Sequence, residues 1–309
     1  MPDAIRALRQ ALPYVRLYKG KTFVVKIGGR ILQKRETLDA LIEELCLLHQ
    51  VGIRIVVVHG GGPQASELSR RLGIEPTIVA GRRVTDEQTL EVAKMVYAGS
   101  LNVDMLSVFR AHQTPAVGVS GVDAGLLTAR RRHKKRIEPF PGAAPVEVDF
   151  GFVGDIVRVD PAILESLLAA GCVPVISPLA CDERGTVFNI NADSIAEAVA
   201  RSLAAEKLLI LTDTDGVLRD PADPTSLVSL TDIAGLERMR EEGKLTGGML
   251  PKVDGAIAAL RGGVRRAHIL NGTRAGTLLM EIFTNSGSGT MIAERCEAAG
   301  VPVEQGAAA

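Results

Sequence analysis

The fold is decided by one stretch, Ile53-Arg54-Ile55-Val56-Val57-Val58-His59-Gly60-Gly61-Gly62-Pro63-Gln64. Its apolar, β-branched run up to Val58 predicts a buried strand. Pro63 suits the first turn of a helix that follows. The three glycines between them leave backbone N–H groups uncovered at a helix N-terminus, where the helix adds positive potential. We interpret the stretch as a strand, a turn and a helix that together hold an anion, because three successive glycines are costly in an empty turn.

Apolar runs with strand and helix periods alternate along the rest of the chain. Strands are predicted over 22–29, 53–58, 77–80, 116–119, 173–177, 207–212, 268–271 and 278–283, with an edge strand over 152–159. Helices are predicted over 3–17, 36–50, 63–72, 86–112, 161–170, 192–204, 231–242 and 249–261, and a final helix after the last Gly-rich turn. This alternation indicates an α/β protein with a mainly parallel sheet, whose ligands bind at the carboxyl ends of the strands.

The composition argues against several classes of function. The 309 residues carry no formal net charge, so nothing global points to nucleic acid or a membrane surface. Aromatic residues make up only 3%, so stacking platforms for single-stranded nucleic acid are not expected. We expect neither a membrane span nor a signal peptide, because no apolar run has the required length or position. The four cysteines lack C-x-x-C spacing, which argues against a zinc site and favours the cytoplasm.

The length of the chain indicates two lobes. We predict an N-terminal helix within residues 1–18, a first lobe over 19–205 and a second over 206–309. The N-terminal helix has four apolar residues at helical spacing, with arginines between them. Such a helix either packs on its own domain or serves as an oligomerisation arm.

The spacing Gly60-x-Gly62-x-x-Ala65 also matches a relaxed dinucleotide-binding fingerprint. That fold requires a second strand that ends in Asp or Glu about 20 residues later. The sequence has instead a short apolar run at 77–80, followed by Gly81-Arg82-Arg83. We therefore disfavour a dinucleotide site, and the P-loop pattern G-x-x-x-x-G-K-[ST] is absent from the sequence.

Two lysines and one aspartate stand beside the glycine-rich turns. Lys26 lies in the apolar strand before Gly28-Gly29, where a charge is costly unless it meets a ligand or counter-ion. Lys252 follows Gly247-Gly248, and taken alone it would be a solvated helix residue. Asp193 opens a helix, either as an N-terminal acid or as a counter-ion that orients the lysines. As a set, these residues predict phosphoryl transfer, which needs groups that position two substrates and neutralise the migrating phosphoryl group.

Six motifs also occur in the order of a known family. They are Lys26-x-Gly28-Gly29, His59-Gly60-Gly61-Gly62-Pro63, Gly81-x-Arg83-Val84-Thr85, Asn189-Ile190-Asn191-Ala192-Asp193, Leu211-Thr212-Asp213-x-x-Gly216 and Gly247-Gly248-Met249-x-x-Lys252. Over nearly its whole length the chain resembles the amino acid kinase superfamily and, within it, the N-acetylglutamate kinases. The resemblance implies a three-layer αβα sandwich with a mainly parallel central sheet, two lobes and an N-terminal helix. It also implies an enzyme that uses ATP and Mg²⁺ to phosphorylate the γ-carboxylate of N-acetyl-L-glutamate, which gives N-acetylglutamyl 5-phosphate for arginine biosynthesis.

The resemblance implies a role for each motif residue. Lys26 and Lys252 would stabilise the transition state, and Asp193 would hold both lysines in place. Backbone N–H groups of Gly29, Gly61 and Gly62 would donate to the phosphoryl group and the acyl-amino acid. The guanidinium fork of Arg83 would pair with a substrate carboxylate, and Asn189 and Asn191 would bind the substrate amide and carboxylate. ATP would be held by Thr212, Asp213, Asp215, Gly216, Val217, Gly247, Gly248 and Met249. Mg²⁺ would be carried by the phosphates of ATP rather than by a protein metal site.

The two ends of the chain resemble the arginine-inhibited branch of that family. Leu8–Val15 is similar to its N-terminal helix, and Glu281–Thr290 is similar to its C-terminal effector segment. The resemblance implies feedback inhibition by L-arginine at a site that includes His268, Glu281 and Gly287. It also implies a hexamer, a trimer of dimers linked by the N-terminal helices, and leaves room for a regulatory partner protein.

Two alternatives stay open. The chain departs from the family pattern at Ile27, Ser120–Gly125 and Asn102-Val103-Asp104, near the expected substrate pocket. The basic run from Arg130 to Arg136, which we place in an exposed hairpin, would suit an acidic carrier protein that presents a bound aminoadipate or glutamate. The other alternative is a non-catalytic subunit that senses arginine, but such a subunit would not need the intact lysines and aspartate of the predicted centre.

Overall fold

An eight-stranded sheet runs through the centre of the molecule, with helices on both of its faces. The computed structural model describes residues 3–79, 82–137, 144–245 and 247–295. Gly81, Cys296 and the segment after Gly300 lie outside these residues. The architecture confirms the predicted α/β fold with a mainly parallel central sheet and an N-terminal helix.

The helices follow the predicted periodicity with small shifts at their ends. They are α1 (Asp3–Tyr18), α2 (Arg35–Gln50), α3 (Gly62–Arg71), α4 (Glu87–Lys94), α5 (Asn102–Ala111), α6 (Ala162–Ala169), α7 (Ala192–Ser202), α8 (Ile233–Glu241), α9 (Met249–Arg261) and α10 (Thr277–Phe283). Short 3₁₀ turns cover Ile31–Gln33 and Asp123–Gly125, and a π-helical segment, Met95–Leu101, joins α4 to α5. None of the described helices is long and apolar enough to cross a membrane.

The strands alternate with these helices. They are β1 (Thr22–Ile27), β2 (Arg54–His59), β3 (Ile78–Val79), β4 (Arg82–Arg83), β5 (Ala116–Ser120), β6 (Leu127–Arg131), β7 (Lys135–Ile137), β8 (Val146–Val148), β9 (Gly154–Val159), β10 (Val173–Ser177), β11 (Leu179–Cys181), β12 (Val187–Asn189), β13 (Lys207–Thr212), β14 (Leu230–Asp232), β15 (Arg266–Asn271) and β16 (Thr290–Ala293).

The strand order of the central sheet is β14-β16-β15-β13-β1-β2-β10-β5. Neighbouring strands in it are parallel except for β15 and β16. A second sheet has the order β12-β11-β6-β9, so β9 is an edge strand, as predicted. Two small hairpins, β3-β4 and β7-β8, complete the described strands.

Each face of the central sheet is covered by a hydrophobic core. Side chains alternate between the faces of a strand, so Val24 of β1 packs with the core beneath α7 and α9, whereas Phe23 and Val25 pack with the core beneath α2 and α5. All six residues of β1 are buried. Burial on both faces explains why β1 and β2 are nearly continuous apolar runs.

Two predicted elements near the C-terminus differ from the structure, and the later part of the second lies outside the described residues. Residues 278–283, predicted as a strand, form helix α10, which buries Leu278, Glu281 and Ile282 at the i, i+3, i+4 spacing of a helix face. A short apolar run does not distinguish a strand from a buried helix. The predicted final helix is also replaced at its start by strand β16, which pairs with β15 and β14.

The predicted helix over 86–112 is confirmed as one continuous helical stretch from Glu87 to Ala111 with three parts. Its middle part is the π-helical segment Met95–Leu101, which places Tyr97 and Leu101 against the glycine turn after β2. A π-helical turn inside a helix frequently marks a functional site.

The predicted lobe boundary near 204–206 lies between two strands of the same sheet. β1 and β13 come from opposite sides of this boundary and pair in parallel, with Lys26 opposite Ile210. The carboxyl ends of strands from both predicted lobes therefore meet at one edge of the sheet. The division into residues 19–205 and 206–309 stays a prediction.

Candidate functional site

The glycine turns lie together at the carboxyl edge of the central sheet. β1 is flanked by β2 on one side and β13 on the other, so the turns that follow these three strands are neighbours. Gly60 N donates to the Ile27 carbonyl at 2.9 Å, and Gly28 N donates to the Leu211 carbonyl at 3.1 Å. The parallel pairing thus brings the first two motifs and Thr212-Asp213 to one place.

The two glycine turns touch each other too closely for side chains. A Cβ on Gly29 would lie 2.9 Å from Pro63 Cδ and 3.1 Å from Gly61 N. A Cβ on Gly61 would lie 2.6 Å from atoms of Tyr97 and Leu101 in the π-helical segment. Glycine is therefore required at both positions by packing, and the same absence of side chains lets a ligand approach the backbone.

Lys26 meets the counter-ion that the sequence predicted. Its Nζ lies 2.9 Å from Asp193 Oδ1, and the two side chains are only 7% and 13% exposed. Asn191 caps helix α7, because its side-chain oxygen accepts from Asp193 N at 2.8 Å. The cap fixes the start of the helix and hence the position of Asp193 beneath the lysine.

Lys252 lies in the first turns of α9 and faces the same centre. Its Nζ donates to the Gly248 carbonyl at 2.8 Å. Burial lowers the pKa of Lys252, and the nearby charge of Lys26 lowers it further, whereas that of Asp193 raises it. Asp193 is thus ion-paired with Lys26 and acts on Lys252 through its charge. The prediction was that Asp193 holds both lysines in place, and the observed arrangement is looser at Lys252.

The sequence reasoning missed a third cation at this edge. Arg30, which follows the first glycine turn, forms an ion pair with Asp213, Nη1 to Oδ2 2.7 Å. The two residues are 183 positions apart in the chain, and only the pairing of β1 with β13 brings them together. The bond to Arg30 is the main cause that lowers the pKa of the Asp213 carboxyl.

The first of two clefts lies between the glycine turn of β1 and the start of α9. Its lining residues are Lys26, Gly28, Gly29, Arg30, Ile31, Thr212, Asp213, Thr214, Gly248, Met249 and Lys252. We call it the nucleotide-side cleft. Its three cations and its bare glycine backbone make it suited to a polyphosphate.

Several residues predicted to hold ATP do not line this cleft in the described structure. Asp215 accepts from Asn271 Nδ2 at 2.7 Å and pairs with Arg274 at 3.0 Å. Val217 is fully buried, and its N–H donates to Thr290 Oγ1 at 2.8 Å. Gly216 has φ +145°, which glycine tolerates, and Gly247 is also off the lining. These residues shape the loop after β13 and the turn before α9.

The second cleft lies between α7, α9 and the second sheet. Arg83, Asn189, Asn191 and Asp193 line it, together with Arg132, Lys135 and Val153. We call it the acceptor-side cleft. Arg83 Nη2 donates to the Gly62 carbonyl at 2.9 Å and also bonds Ser66 Oγ. Its Nη1 is buried and finds no partner in the described part of the chain, so one arm of the guanidinium fork is available for an anion.

The side chain of Asn189 and part of the basic run both line this cleft, and each is held by its own hydrogen bonds. Asn189 Nδ2 donates to Thr85 Oγ1 at 3.2 Å, which orients the amide. Arg132 bonds Asp155 through Nε and Nη2 at 2.9 and 2.7 Å and is only 13% exposed. The basic run is exposed, as predicted, except for Arg132: its first part belongs to β6, its last part belongs to β7, which pairs antiparallel with β8, and Arg132 between them is largely buried in an ion pair.

A third cluster lies away from the two clefts, between β13, β15 and α10. His268 Nδ1 bonds Glu281 Oε1 at 2.6 Å, and His268 Nε2 lies 2.8 Å from Lys207 Nζ. Burial lowers the pKa of His268 to about 4 and that of Lys207 to about 7. Burial acts to raise the pKa of Glu281, but the bond from His268 and the N–H groups of Ser288 and Gly289 hold it well below its usual value.

These residues border a cavity that also includes Tyr14 and Tyr18 of α1, Arg266 and Gly287. Gly287 has φ +62°, and a Cβ on it would lie 2.8 Å from Glu281 Oε2. The structure thus brings together His268, Glu281 and Gly287 as predicted, and it adds the buried Lys207, which no motif indicated.

The chain is similar to several proteins of named function. The model of the amino acid kinase family matches residues 21–271. An acetylglutamate kinase from Symbiobacterium thermophilum is 44% identical over 94% of this chain and 97% of its own length. An acetylglutamate kinase from Myxococcus xanthus is 45% identical over 94% of this chain and 94% of its own length.

Solved structures share the fold. N-acetylglutamate synthase from Neisseria gonorrhoeae, complexed with coenzyme A and N-acetyl-glutamate, superposes with a TM-score of 0.78 at 33% identity over 94% of this chain. The chain spans 63% of that synthase. Carbamate kinase from Giardia lamblia bound to AMP-PNP superposes with a TM-score of 0.63 at 18% identity, which concerns the fold alone.

Proposed function

Because the chain belongs to the amino acid kinase family, we propose that it transfers the γ-phosphoryl group of ATP to the γ-carboxylate of N-acetyl-L-glutamate. It is a kinase whose acceptor is a carboxyl group. The observation that carries the proposal is the ion pair of Lys26 with Asp193. Lys26 lines the nucleotide-side cleft and Asp193 lines the acceptor-side cleft, so the pair stands where a phosphoryl group would pass from one to the other.

The nucleotide-side cleft fits ATP with its Mg²⁺. ATP brings the phosphoryl group, and Mg²⁺ bound to its phosphates neutralises part of their charge. Lys26, Lys252 and Arg30 supply positive charge beside the unpartnered N–H of Gly29. Thr212, Asp213, Gly248 and Met249 would hold the rest of the nucleotide.

The acceptor-side cleft supplies donors for both ends of an acyl-amino acid. The unpartnered Nη1 of Arg83 would pair with the α-carboxylate, since a guanidinium fork matches a carboxylate. The amides of Asn189 and Asn191 would bind the acetamido group, which carries both a donor and an acceptor. The γ-carboxylate is then directed toward Asp193 and Lys26.

In the reaction, a γ-carboxylate oxygen attacks the γ-phosphorus in line with the bond to the β,γ-bridging oxygen, and that bond breaks. No proton moves, because the carboxylate attacks as an anion and ADP leaves as an anion. Lys26 and Lys252 neutralise the charge on the equatorial oxygens, while Asp193 holds the Lys26 side chain in place. The product is an acyl phosphate, and no covalent enzyme intermediate is needed.

Feedback control by L-arginine is the finer part of the proposal. The cavity beside His268 and Glu281 is supported as the effector site by a buried carboxylate that the N–H groups of Ser288 and Gly289 hold in one orientation. A fixed carboxylate suits a guanidinium ligand. Tyr14 of α1 borders the same cavity, which would link the N-terminal helix to effector binding.

Helix α1 is also the proposed oligomerisation arm. Ile5, Leu8, Leu12 and Leu17 are between 42% and 66% exposed, although its other side packs on α10. Such apolar exposure on a helix favours contact with another copy, and a hexamer built as a trimer of dimers joined through α1 would use it. Replacement of Leu8 by Glu should lower the sedimenting mass of the assembly and weaken arginine inhibition; an unchanged mass and an unchanged response would remove α1 from both roles.

A regulatory partner protein and a place in the cytoplasm stay predictions.

A hydroxylamine trap tests the activity. With ATP, Mg²⁺ and N-acetyl-L-glutamate the enzyme should give one hydroxamate per ADP. No hydroxamate at saturating substrate would overturn the proposal.

The carrier-bound alternative draws on Arg132 and Lys135, which line the acceptor-side cleft. Hydroxamate formed only with a glutamate or aminoadipate on an acidic carrier protein would establish that alternative, and arginine binding without any turnover would indicate the non-catalytic sensor.

A further inference from the structure

The N–H groups of Gly29, Gly61 and Gly62 find no acceptor within the described part of the chain. A trans peptide is planar, so the direction of each N–H is set by the carbonyl of the residue before it. Gly28 O accepts from Ile31 N at 3.0 Å, and Gly61 O accepts from Ala65 N at 2.9 Å. The backbone itself therefore fixes the Gly29 and Gly62 N–H groups.

The peptide between Gly60 and Gly61 is held differently. No backbone N–H among the described residues donates to the Gly60 carbonyl, and its partner is the side chain of His59, with Nδ1 2.8 Å from Gly60 O. Both residues of this peptide are glycines, whose backbone rotates more freely than that of other residues. Its orientation thus depends on one side-chain hydrogen bond.

The ring of His59 is itself held in place at its second nitrogen. It ends β2 and is fully buried, and its Nε2 lies 3.4 Å from Asn102 Nδ2. Asn102 also donates to the Val175 carbonyl at 3.0 Å, which fixes the amide. Asn102 directly follows the π-helical segment. Tyr97 and Leu101 of that segment pack against Gly61.

The partners determine the tautomer of His59. A carbonyl only accepts, so Nδ1 must carry the proton that Gly60 O receives. The Nδ2 of Asn102 only donates, so Nε2 must present its lone pair. Burial lowers the pKa of His59 to about 4, which keeps the ring neutral in this form through the neutral pH range.

We propose that His59 is a positioning residue for phosphoryl transfer: its Nδ1–H fixes the Gly60–Gly61 peptide so that the Gly61 N–H points at the migrating phosphoryl group. The inference rests on the proposed function and takes the Gly61 N–H as a donor to that group, because Gly61 N lies beside Gly29, which lines the nucleotide-side cleft. His59 acts through the peptide and touches neither substrate. Removal of one such donor typically costs about 100- to 1000-fold in kcat, and a misdirected donor loses part of that.

The test compares two replacements of opposite character. His59→Asn keeps an N–H near the position of Nδ1, whereas His59→Leu keeps apolar bulk and loses the donor. We expect kcat to fall by roughly 10- to 100-fold in His59→Leu, with KM for ATP little changed, and to recover in large part in His59→Asn. If His59 served only to fill the core, the order would reverse, because a buried Asn is the costlier side chain.

Two further measurements keep the test decisive. The midpoint of thermal unfolding should be higher in His59→Leu than in His59→Asn, so that activity and stability rank the variants in opposite order. His49→Leu is the matched control, because His49 lies at the C-terminal end of α2, away from the proposed site. This change should leave kcat within about twofold of the parent value, as is usual for a change away from the chemistry. A kcat of His59→Leu equal to that of the parent, or no recovery in His59→Asn, would overturn the inference.

The tautomer can be read without any turnover. Solid-state ¹⁵N spectra of histidine-labelled protein, assigned by loss of one signal in His59→Asn, should show a protonated Nδ1 and an unprotonated Nε2 at pH 7. The opposite tautomer, or a doubly protonated ring, would contradict the assignment. If the spectra agree but the parent enzyme forms no acyl phosphate, the proposed function has failed and the anchoring of the Gly60 carbonyl still stands.

Discussion

Lys26 and Asp193 form an ion pair, Nζ to Oδ1 2.9 Å, between the two clefts of the site. Lys26 is in the strand at the middle of the central sheet, and Asp193 is in the first turn of the helix packed on it. The pair therefore ties the sheet to α7 at the point where the two substrates would meet. Its geometry leads to the first prediction.

Loss of both partners should cost less than the two single losses added together. Asp193→Asn leaves the Lys26 charge buried without its counter-ion, and we expect the free energy of unfolding to fall by about 2–4 kcal/mol. Lys26→Met combined with Asp193→Asn should be less destabilised than the sum of the single changes, by about 1–3 kcal/mol. A double-mutant cycle from denaturant unfolding measures this coupling. Purely additive effects would show that the pair does not stabilise the site.

The lowered pKa of Lys252 should set the alkaline limit of activity. Burial is the main cause of the lowered pKa, so the ammonium loses its proton at a lower pH than an exposed lysine. Since the proposed role of Lys252 at the phosphoryl oxygens requires its charged form, kcat should fall as pH rises through this pKa. Arginine stays protonated over the same range, so any residual activity of Lys252→Arg should lack that alkaline limb. Rate profiles with the same limb in both enzymes would assign it to another group.

Arg30 should contribute to ATP binding more than to the fold. Its side chain is 74% exposed, and exposed ion pairs contribute at most about 1 kcal/mol. Arg30→Gln should therefore leave unfolding nearly unchanged, while KM for ATP rises by about 5- to 10-fold through loss of a cation beside the phosphates. Arg261→Gln is the control, because it breaks an exposed ion pair of the same length, 2.7 Å, with Glu237. Equal ATP affinities in both variants would exclude Arg30 from the nucleotide-side cleft.

His268 should make the protein less stable in acid. Its pKa falls from 6.5 to about 4 because of burial, with Lys207 and Arg266 adding to the effect and Glu281 opposing it. Between these pH values the unfolded chain binds the proton and the folded chain does not, so stability decreases as pH falls from 6.5 through 4. The loss amounts to at most about 3 kcal/mol.

The measurement for His268 is denaturant unfolding at several pH values. His268→Asn keeps a donor toward Glu281 and does not titrate, so its unfolding free energy should change less over the same window. The remaining slope would come from carboxylates such as Glu281, whose lowered pKa acts in the same direction. Parallel pH curves for the parent and His268→Asn would refute the assignment.

The sequence predicted much of the centre of this site. A lysine in an apolar strand needs a partner, and that reason pointed to Lys26 and Asp193. Three successive glycines after β2 pointed to a backbone anion site. These inferences depend on local chemistry, which can be deduced from a few neighbouring residues.

Other features depend on pairings that a sequence does not display. Arg30 meets Asp213 only because β1 and β13 are adjacent in the sheet. His59 looked like part of a motif, yet its role follows from the direction of the Gly60 carbonyl. The segment 278–283 forms a helix although its six apolar-rich residues fit the period of a strand as well, because it packs on α2 and the sheet.

The most direct test of the account follows an oxygen atom. N-acetyl-L-glutamate labelled with ¹⁸O in its γ-carboxylate is incubated with enzyme, ATP, Mg²⁺ and hydroxylamine, and the inorganic phosphate released from the trapped acyl phosphate is analysed by mass spectrometry. Attack of the carboxylate on the γ-phosphorus predicts one ¹⁸O atom in each phosphate, because hydroxylamine attacks the carbonyl carbon and the bridging oxygen leaves with phosphorus. Phosphate without ¹⁸O would mean that water receives the phosphoryl group, and it would contradict the proposed kinase.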